Sequence, residues 1–261
     1  MARRKRYIGS CGGSVCRAGQ FSCKGEGAAV LAMAKGGGRR GRKRCVWYGM
    51  VERFCGVSCA ALCSGCLCKY VTKVNEIESA RKTVEEMVGD KGLNLLINNA
   101  GVARWQPFAE VTTENMLFHL TANAVGPVMV FQAMLPLLSK AAAQKSGGMH
   151  VSRAAVLNIS SVAGSVSELT QESPKEWLGV MSYRVSKAAL NMAMRVAAVT
   201  VEDQGILVTC MCPGWVRTDM GTELGLMEPS ESISAMMMTL SQMNESHHGA
   251  FLDRYGKTIS F

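Results

Sequence analysis

From residue 70 onward, apolar and polar positions follow two alternating periods. Between Asn75 and Val88, Ile77, Ala80, Val84, Met87 and Val88 share one stripe with Glu, Arg and Lys opposite, which predicts an amphipathic helix. Gly89–Gly92 ends it, and Leu93–Ile97 is a short apolar run suited to a strand buried on both faces. Thr113–Leu138 reads as helical, with a kink at Pro127 and a late break at Pro136. Ala154–Ile159 predicts a second buried strand, Tyr183–Glu202 a long Ala/Met/Val-rich helix, Ile206–Met211 a third strand and Gly249–Leu252 a short last one. Strands alternating with helices predict an α/β fold, a doubly wound parallel sheet covered on both faces.

Residues 1–69 show neither period. Their charge is also of a different kind: residues 1–53 hold thirteen Lys and Arg against Glu26 and Glu52, a net of +11. The remainder is close to neutral, so the overall +9 belongs to the N-terminal fifth and does not describe a nucleic-acid-binding face on the body. Nine of the eleven cysteines lie between Cys11 and Cys68. The start carries no secretory signal, and Phe54–Cys68 is too short and too broken by Gly and Ser to span a bilayer. The expectation is a soluble, cytoplasmic protein with no membrane or nucleic-acid partner.

Four signals recur at the predicted strand ends. Asn98-Asn99-Ala100-Gly101 closes the first strand, where Ala and Gly permit close backbone approach of a ligand. Ser160-Ser161 closes the second, and Pro213-Gly214-Trp215-Val216-Arg217-Thr218 follows the third. Tyr183 and Lys187 sit four apart on the long helix, hence on one face. Taken singly these are a turn, a polar loop, a second turn and a commonplace helical pair. Their order, each at a strand end bordering one crevice, is what chance does not supply.

That order, with Asn123 in TANAVGP and the strings ISSVAG, YRVSK and PGWVRTDM, resembles the short-chain dehydrogenase/reductase family over roughly Val71–Phe261. GLNLLINNAG, the insertion between Ser161 and Tyr183 and the ending GAFLDRYGKTIS are similar to its C-factor and sniffer-like carbonyl reductase branch. The resemblance implies an oxidoreductase that reduces a small carbonyl, or oxidises the alcohol, with NADPH or NADH. It implies Asn123, Ser161, Tyr183 and Lys187 as the catalytic set: Tyr183 the proton donor, Ser161 the partner of the carbonyl oxygen, Asn123 the support of a water relay. Asn98, Ala100, Gly101, Lys187, Pro213, Gly214, Val216 and Thr218 would hold the cofactor. It also implies a homodimer or homotetramer through the Thr113–Leu138 and Tyr183–Glu202 helices. A phenol titrates near pH 10 and a general acid works best near 7. An ammonium about 4 Å away is worth about 4 kcal/mol, so Lys187 is expected to draw Tyr183 downward.

The family opens with a strand and Thr-Gly-x-x-x-Gly-x-Gly before a helix that receives the pyrophosphate, and no such segment is found. Gly36, Gly38 and Gly41 spell Gly-x-Gly-x-x-Gly after the apolar Ala28–Ala34, but Arg39-Arg40 and Arg42-Lys43-Arg44 stand where an apolar helix face should begin. Only 62 residues separate Gly36 from Asn98, short of three βαβ units of about 30 residues each. The sheet is therefore expected to lack its first strands, leaving hydrophobic strand surface uncovered. Residues 1–69 then read as a disordered extension or as translation of a non-native frame. Thiolate ligation of zinc through Cys63-x-x-Cys66, or an arginine-rich nucleic-acid arm, are lesser readings. A rival to the enzyme is an inactive chain that only associates with partners.

Overall fold

The computed structural model describes residues 10–11, 14–15, 28–32, 58–60 and 71–261. Six parallel strands form the main sheet: β1 (Ala28–Ala32), β2 (Ser58–Ala60), β3 (Leu95–Asn98), β4 (Ala155–Ile159), β5 (Leu207–Cys212) and β6 (Phe251–Asp253). Their order is β2-β1-β3-β4-β5-β6. Ser10–Cys11 pairs antiparallel with Ser14–Val15 in a small ladder of its own. The fold class is the expected one.

The N-terminal half of the sheet differs from the expectation in one respect. Ala29, Val30, Leu31 and Ala32 of β1 register with Leu95, Leu96, Ile97 and Asn98 of β3. Strand β3 is thus paired on both sides, and its fully buried Leu-Leu-Ile run has no open edge. Ala28–Ala34 is an apolar run like the other strands, but the charged Arg39–Arg44 that follows stands where an apolar helix was expected, and this hides the strand in the sequence. The half remains short, because among the described residues one strand lies outside β1, where the Rossmann order 3-2-1-4-5-6 places two. Gly36–Gly41 and the cysteines at 55, 63, 66 and 68 lie outside the described residues.

Helices cover both faces. On one, α1 (Val74–Val88), α3 (Gly126–Ala143) and α4 (Met181–Val201) pack through Ile77, Val84, Val130, Phe131, Met134, Leu138, Leu190 and Met194. Those side chains meet Leu96, Val156, Val208, Cys210 and Cys212 from the strands. On the other, α5 (Pro229–Gln242) presents Ile233, Met236, Met237 and Leu240 to Leu95, Ile97, Leu157 and Met211. Odd and even strand positions thus serve opposite cores, as a sheet buried on both faces requires. Each such aliphatic side chain is worth about 1.5–3 kcal/mol when fully buried.

Two helical expectations are corrected. Met87 is exposed, since the buried line of α1 is Ile77, Val84 and Val88. Pro136 does not end its helix: α3 runs on to Ala143, anchored by the buried Leu137, Leu138, Ala141 and Ala142. The irregularity falls earlier. Between α2 (Thr113–Leu120) and α3, residues Thr121–Val125 form a π turn, and Pro127 enters α3 in its first turn, where a missing N–H costs little. The extra residue of that turn rotates Asn123 inward, and it is fully buried.

Candidate active site

The carboxyl ends of β3, β4 and β5 meet the first turns of α4 in one crevice. At β3, the Asn98 side chain faces inward: its Nδ2 donates to Asn158 Oδ1 at 2.8 Å, and Asn158 Nδ2 donates to the Thr209 carbonyl at 3.3 Å. Buried amides so tie three strands together, and beyond them the chain turns at the small Ala100 and Gly101. A Cβ built on Gly101 would lie 3.6 Å from Asn123 Oδ1, 3.7 Å from Lys187 Nζ and 3.9 Å from Met220 Cε. Lack of a side chain there opens the approach to the lysine.

Asn123 spends every polar atom. Its Oδ1 accepts the Val102 N–H at 2.8 Å, and its Nδ2 donates to the Val102 carbonyl and to Ser186 Oγ, both at 2.9 Å. Ser186 Oγ in turn donates to the Tyr183 carbonyl at 2.7 Å. The loop after β3 and the helix that carries Tyr183 and Lys187 are thereby joined through one side chain.

Of the serine pair, Ser160 is buried and donates to Asn191 Oδ1 at 2.6 Å, while Ser161 is partly exposed and caps the Val162–Gly164 turn by accepting from Ala163 N at 3.1 Å. Ser161 stands near enough to the Tyr183 hydroxyl to lower its pKa. Lys187 is buried; its Nζ donates to the Ile159 carbonyl at 2.8 Å and lies 5.7 Å from the centre of the Tyr183 ring. Burial lowers the Lys187 ammonium to about 8, opposed weakly by the Cys210 and Cys212 thiols. Burial pushes the Tyr183 phenol up to about 12, with the nearby Ser161 hydroxyl pulling the other way. The expected downward pull of Lys187 on Tyr183 is not met: the ammonium is aimed at a backbone carbonyl, and desolvation of the phenolate outweighs it.

After β5 the loop Pro213–Thr218 is pinned from outside. Ser232 Oγ of α5 donates to the Pro213 carbonyl at 2.6 Å, Val216 bridges to Met227, and Arg217 N donates to the Met227 carbonyl at 2.9 Å. Thr218 Oγ1 accepts from Gly221 N at 3.0 Å. Gly214 has φ +84°, a conformation that favours glycine. Ala100, Gly101 and Lys187 thus stand together beyond the end of β3, and Pro213, Gly214, Val216 and Thr218 form the loop after β5.

Three positions carry no signal in the sequence. A Cβ on Gly164 would come within 2.7 Å of the Lys187 carbonyl carbon and 2.9 Å of Ala188 N, so only glycine lets α4 sit this close to β4. His119, fully buried, accepts the Arg104 N–H at its Nε2 (2.9 Å) and meets the Asn115 carbonyl through Nδ1 at 2.8 Å. Burial lowers its pKa, consistent with a neutral ring. Gln106 N donates to the Gly179 carbonyl at 2.8 Å, linking the same loop to the segment entering α4. All three act through folding geometry, which spacing does not reveal.

Comparison with known proteins identifies the family. The short chain dehydrogenase family profile matches residues 66–229. The chain belongs to the short-chain dehydrogenase family. The match begins at residue 66, in keeping with an N-terminus that departs from the family. Among relatives of this short-chain dehydrogenase is the C-signal protein of Myxococcus xanthus, 33% identical over 168 residues that make up 64% of this chain and 92% of that one. The structure resembles the carbonyl reductase Sniffer of D. melanogaster with a TM-score of 0.73 and 26% identity, covering 91% of this chain and 100% of that one. It also resembles the NADPH-bound carbonyl reductase from chicken fatty liver, with a TM-score of 0.72, 34% identity and coverage of 89% and 88%. This short-chain dehydrogenase is therefore of the C-signal and Sniffer-like branch, and oxidoreduction is the chemistry of its kind.

Proposed function

We propose that this short-chain dehydrogenase reduces a small carbonyl compound with NADPH, Tyr183 donating the proton. The observation that carries the reading is Tyr183 beside Ser161 at the strand ends, with the buried Lys187 one helical turn away and its Nζ 5.7 Å from the Tyr183 ring. Ser161 and Tyr183 together present two hydroxyls to one carbonyl oxygen. A phenol pushed up to about 12 is protonated at neutral pH, so the donor is loaded before the reaction. NADPH, when bound, supplies the hydride. The site fits its nicotinamide end: Ala100 and Gly101 leave room beside the Lys187 ammonium, which would hold the ribose hydroxyls. Asn98 supports that strand end, and Pro213, Gly214, Val216 and Thr218 border where the carboxamide would lie. Asn123, fixed by Val102 and Ser186, supports the water relay that returns the proton to Tyr183. NADPH is preferred over NADH because an NADPH-bound carbonyl reductase is among the similar structures.

The test is NADPH consumption, at high cofactor concentration, over a panel of aldehydes and ketones. Tyr183→Phe is expected to abolish turnover with cofactor affinity kept. Activity near the parent level would remove Tyr183 from the chemistry.

A second, compatible reading concerns association. Val185, Met192, Val196 and Val199 of α4 are exposed, as are Leu117 of α2 and Val125 beside it. Such a row on adjoining helices suits a homodimer or homotetramer, and gel filtration with light scattering tests it.

A further inference from the structure

Arg254 follows β6 directly, at the same edge of the sheet as the proposed site, and Asp253 before it registers with Cys212 of β5. A Cβ on Gly214 would lie 2.8 Å from Arg254 Nη1 and 3.1 Å from Met227 Cε. The guanidinium therefore stands against the loop that borders the proposed cofactor, with an apolar methionine beside it. It lies near Cys212, whose thiol is in turn near both Tyr183 and Lys187.

Among the described residues the Arg254 guanidinium is in no ion pair. The ion pairs among them use Arg81, Lys140 and Arg217. The neighbouring Asp253 turns Oδ1 to the Tyr255 and Lys257 N–H groups, at 2.8 and 2.9 Å, and makes no ion pair with Arg254. Arg254 Nε is buried with no hydrogen-bond partner. The guanidinium carbon sits 4.4 Å from the centre of the Tyr255 ring, which fixes its plane. Buried donors in native proteins are almost always paired, so one left over beside a binding crevice asks for an acceptor from outside the chain. A planar fork of donors held by an aromatic face matches a carboxylate.

We propose that Arg254 binds a carboxylate on the substrate, so that this chain prefers oxo acids over neutral carbonyl compounds. The proposal rests on the carbonyl-reductase reading for its turnover and on Arg254 alone for its anion binding.

The experiment separates the two. With the full chain and high NADPH, kcat/KM is measured for a carboxybenzaldehyde and for its methyl ester, and Arg254→Met is compared with the parent. The preference for the acid over the ester is expected to fall roughly 10–100-fold, the worth of a hydrogen bond to a charged group. An unchanged preference overturns the proposal. Benzoate binding is followed in parallel by thermal shift, which needs no turnover. Binding by the parent that weakens in Arg254→Met supports the anion site even where no carbonyl is reduced, and in that case the reductase reading alone fails. Equal benzoate binding by parent and variant, or none by either, overturns the anion site.

Discussion

Asn123 Nδ2 and Ser186 Oγ, 63 residues apart in the chain, share a buried hydrogen bond of 2.9 Å. The bond fastens the π turn between α2 and α3 to α4, one residue before Lys187. Because Asn123 also satisfies both backbone groups of Val102, its removal leaves three polar groups without their partner. Asn123→Ala is expected to cost about 3 kcal/mol and lower Tm by roughly 6–12 °C. Ser186→Ala should cost less, since it removes one contact of the Asn123 amide nitrogen and one to the Tyr183 carbonyl. Calorimetry on both variants checks the ranking, and equal losses would mean that Asn123 is not the centre of the network.

This network also shows where sequence reasoning stops. The buried strands β3, β4 and β5 were legible because doubly covered strands are continuous apolar runs. Asn98, Ser161 and Gly214 were legible in position because a strand end fixes where the next residue must lie. Strand β1 was not, because the charged Arg39–Arg44 after it stands where an apolar helix was expected, and the strand shows only in its pairing with Leu95–Asn98. The continuation of α3 past Pro136 was hidden for a similar reason: four buried side chains beyond it outweigh one lost hydrogen bond. The protonation of Tyr183 depends on burial and on where the Lys187 ammonium points, and neither can be read from a four-residue spacing.

The buried Lys187 sets a pH dependence of stability. Its pKa falls from an ordinary 10.5 to about 8, so folding disfavours the ammonium, by at most about 3 kcal/mol at neutral pH. The penalty is full below pH 8. It is released as pH rises from about 8 toward 10.5, where the unfolded chain holds the proton and the folded one has lost it. Cys210 and Tyr183 work oppositely, both pushed up to about 12 from 9.0 and 10.0, so they destabilise the fold as pH climbs past those ordinary values. Lysine alone is therefore read between pH 8 and 9. Lys187→Met should be the more stable protein at pH 7, and its advantage should shrink by about 1 kcal/mol across that window. A constant advantage in paired denaturation curves would show that Lys187 does not titrate there.

Gly164 holds α4 against the end of β4. The alanine Cβ would fall 2.7–2.9 Å from Lys187 and Ala188 atoms that belong largely to the helix backbone, which has no flexible end to yield. Gly164→Ala must shift the helix and with it Tyr183 and Lys187. An overpacked core typically costs about 1–3 kcal/mol. The expected result is a folded protein with a modestly lower Tm and a kcat reduced at least tenfold, as befits misplaced reacting groups (roughly 1.4 kcal/mol or more). A variant with unchanged kcat would show that the helix has room to move without disturbing the site.

Cofactor affinity is the prediction on which the rest depends. The strand order reverses between β1 and β3, and at such a switch point an open α/β sheet takes its ligand at the carboxyl ends of the strands. The β3 side of that crevice supplies Ala100, Gly101 and Lys187. On the β1 side the sequence continues into Gly36-Gly37-Gly38-Arg39-Arg40-Gly41 and then Arg42-Lys43-Arg44, where the family's pyrophosphate-binding helix carries an apolar face. Much of the binding energy of a dinucleotide comes from those phosphates. The chain is therefore expected to bind NADPH weakly, well above micromolar, in a fluorescence titration. Replacing residues 1–69 with the strand, glycine-rich turn, helix and following βαβ unit of a related reductase should tighten binding at least tenfold and raise carbonyl reduction with it. Micromolar binding by the unaltered chain, lost on replacing Gly36 and Gly38 by valine, would instead make that glycine run the phosphate cradle. A chimera that binds NADPH tightly yet reduces nothing would place the fault in Asn123, Ser161, Tyr183 and Lys187.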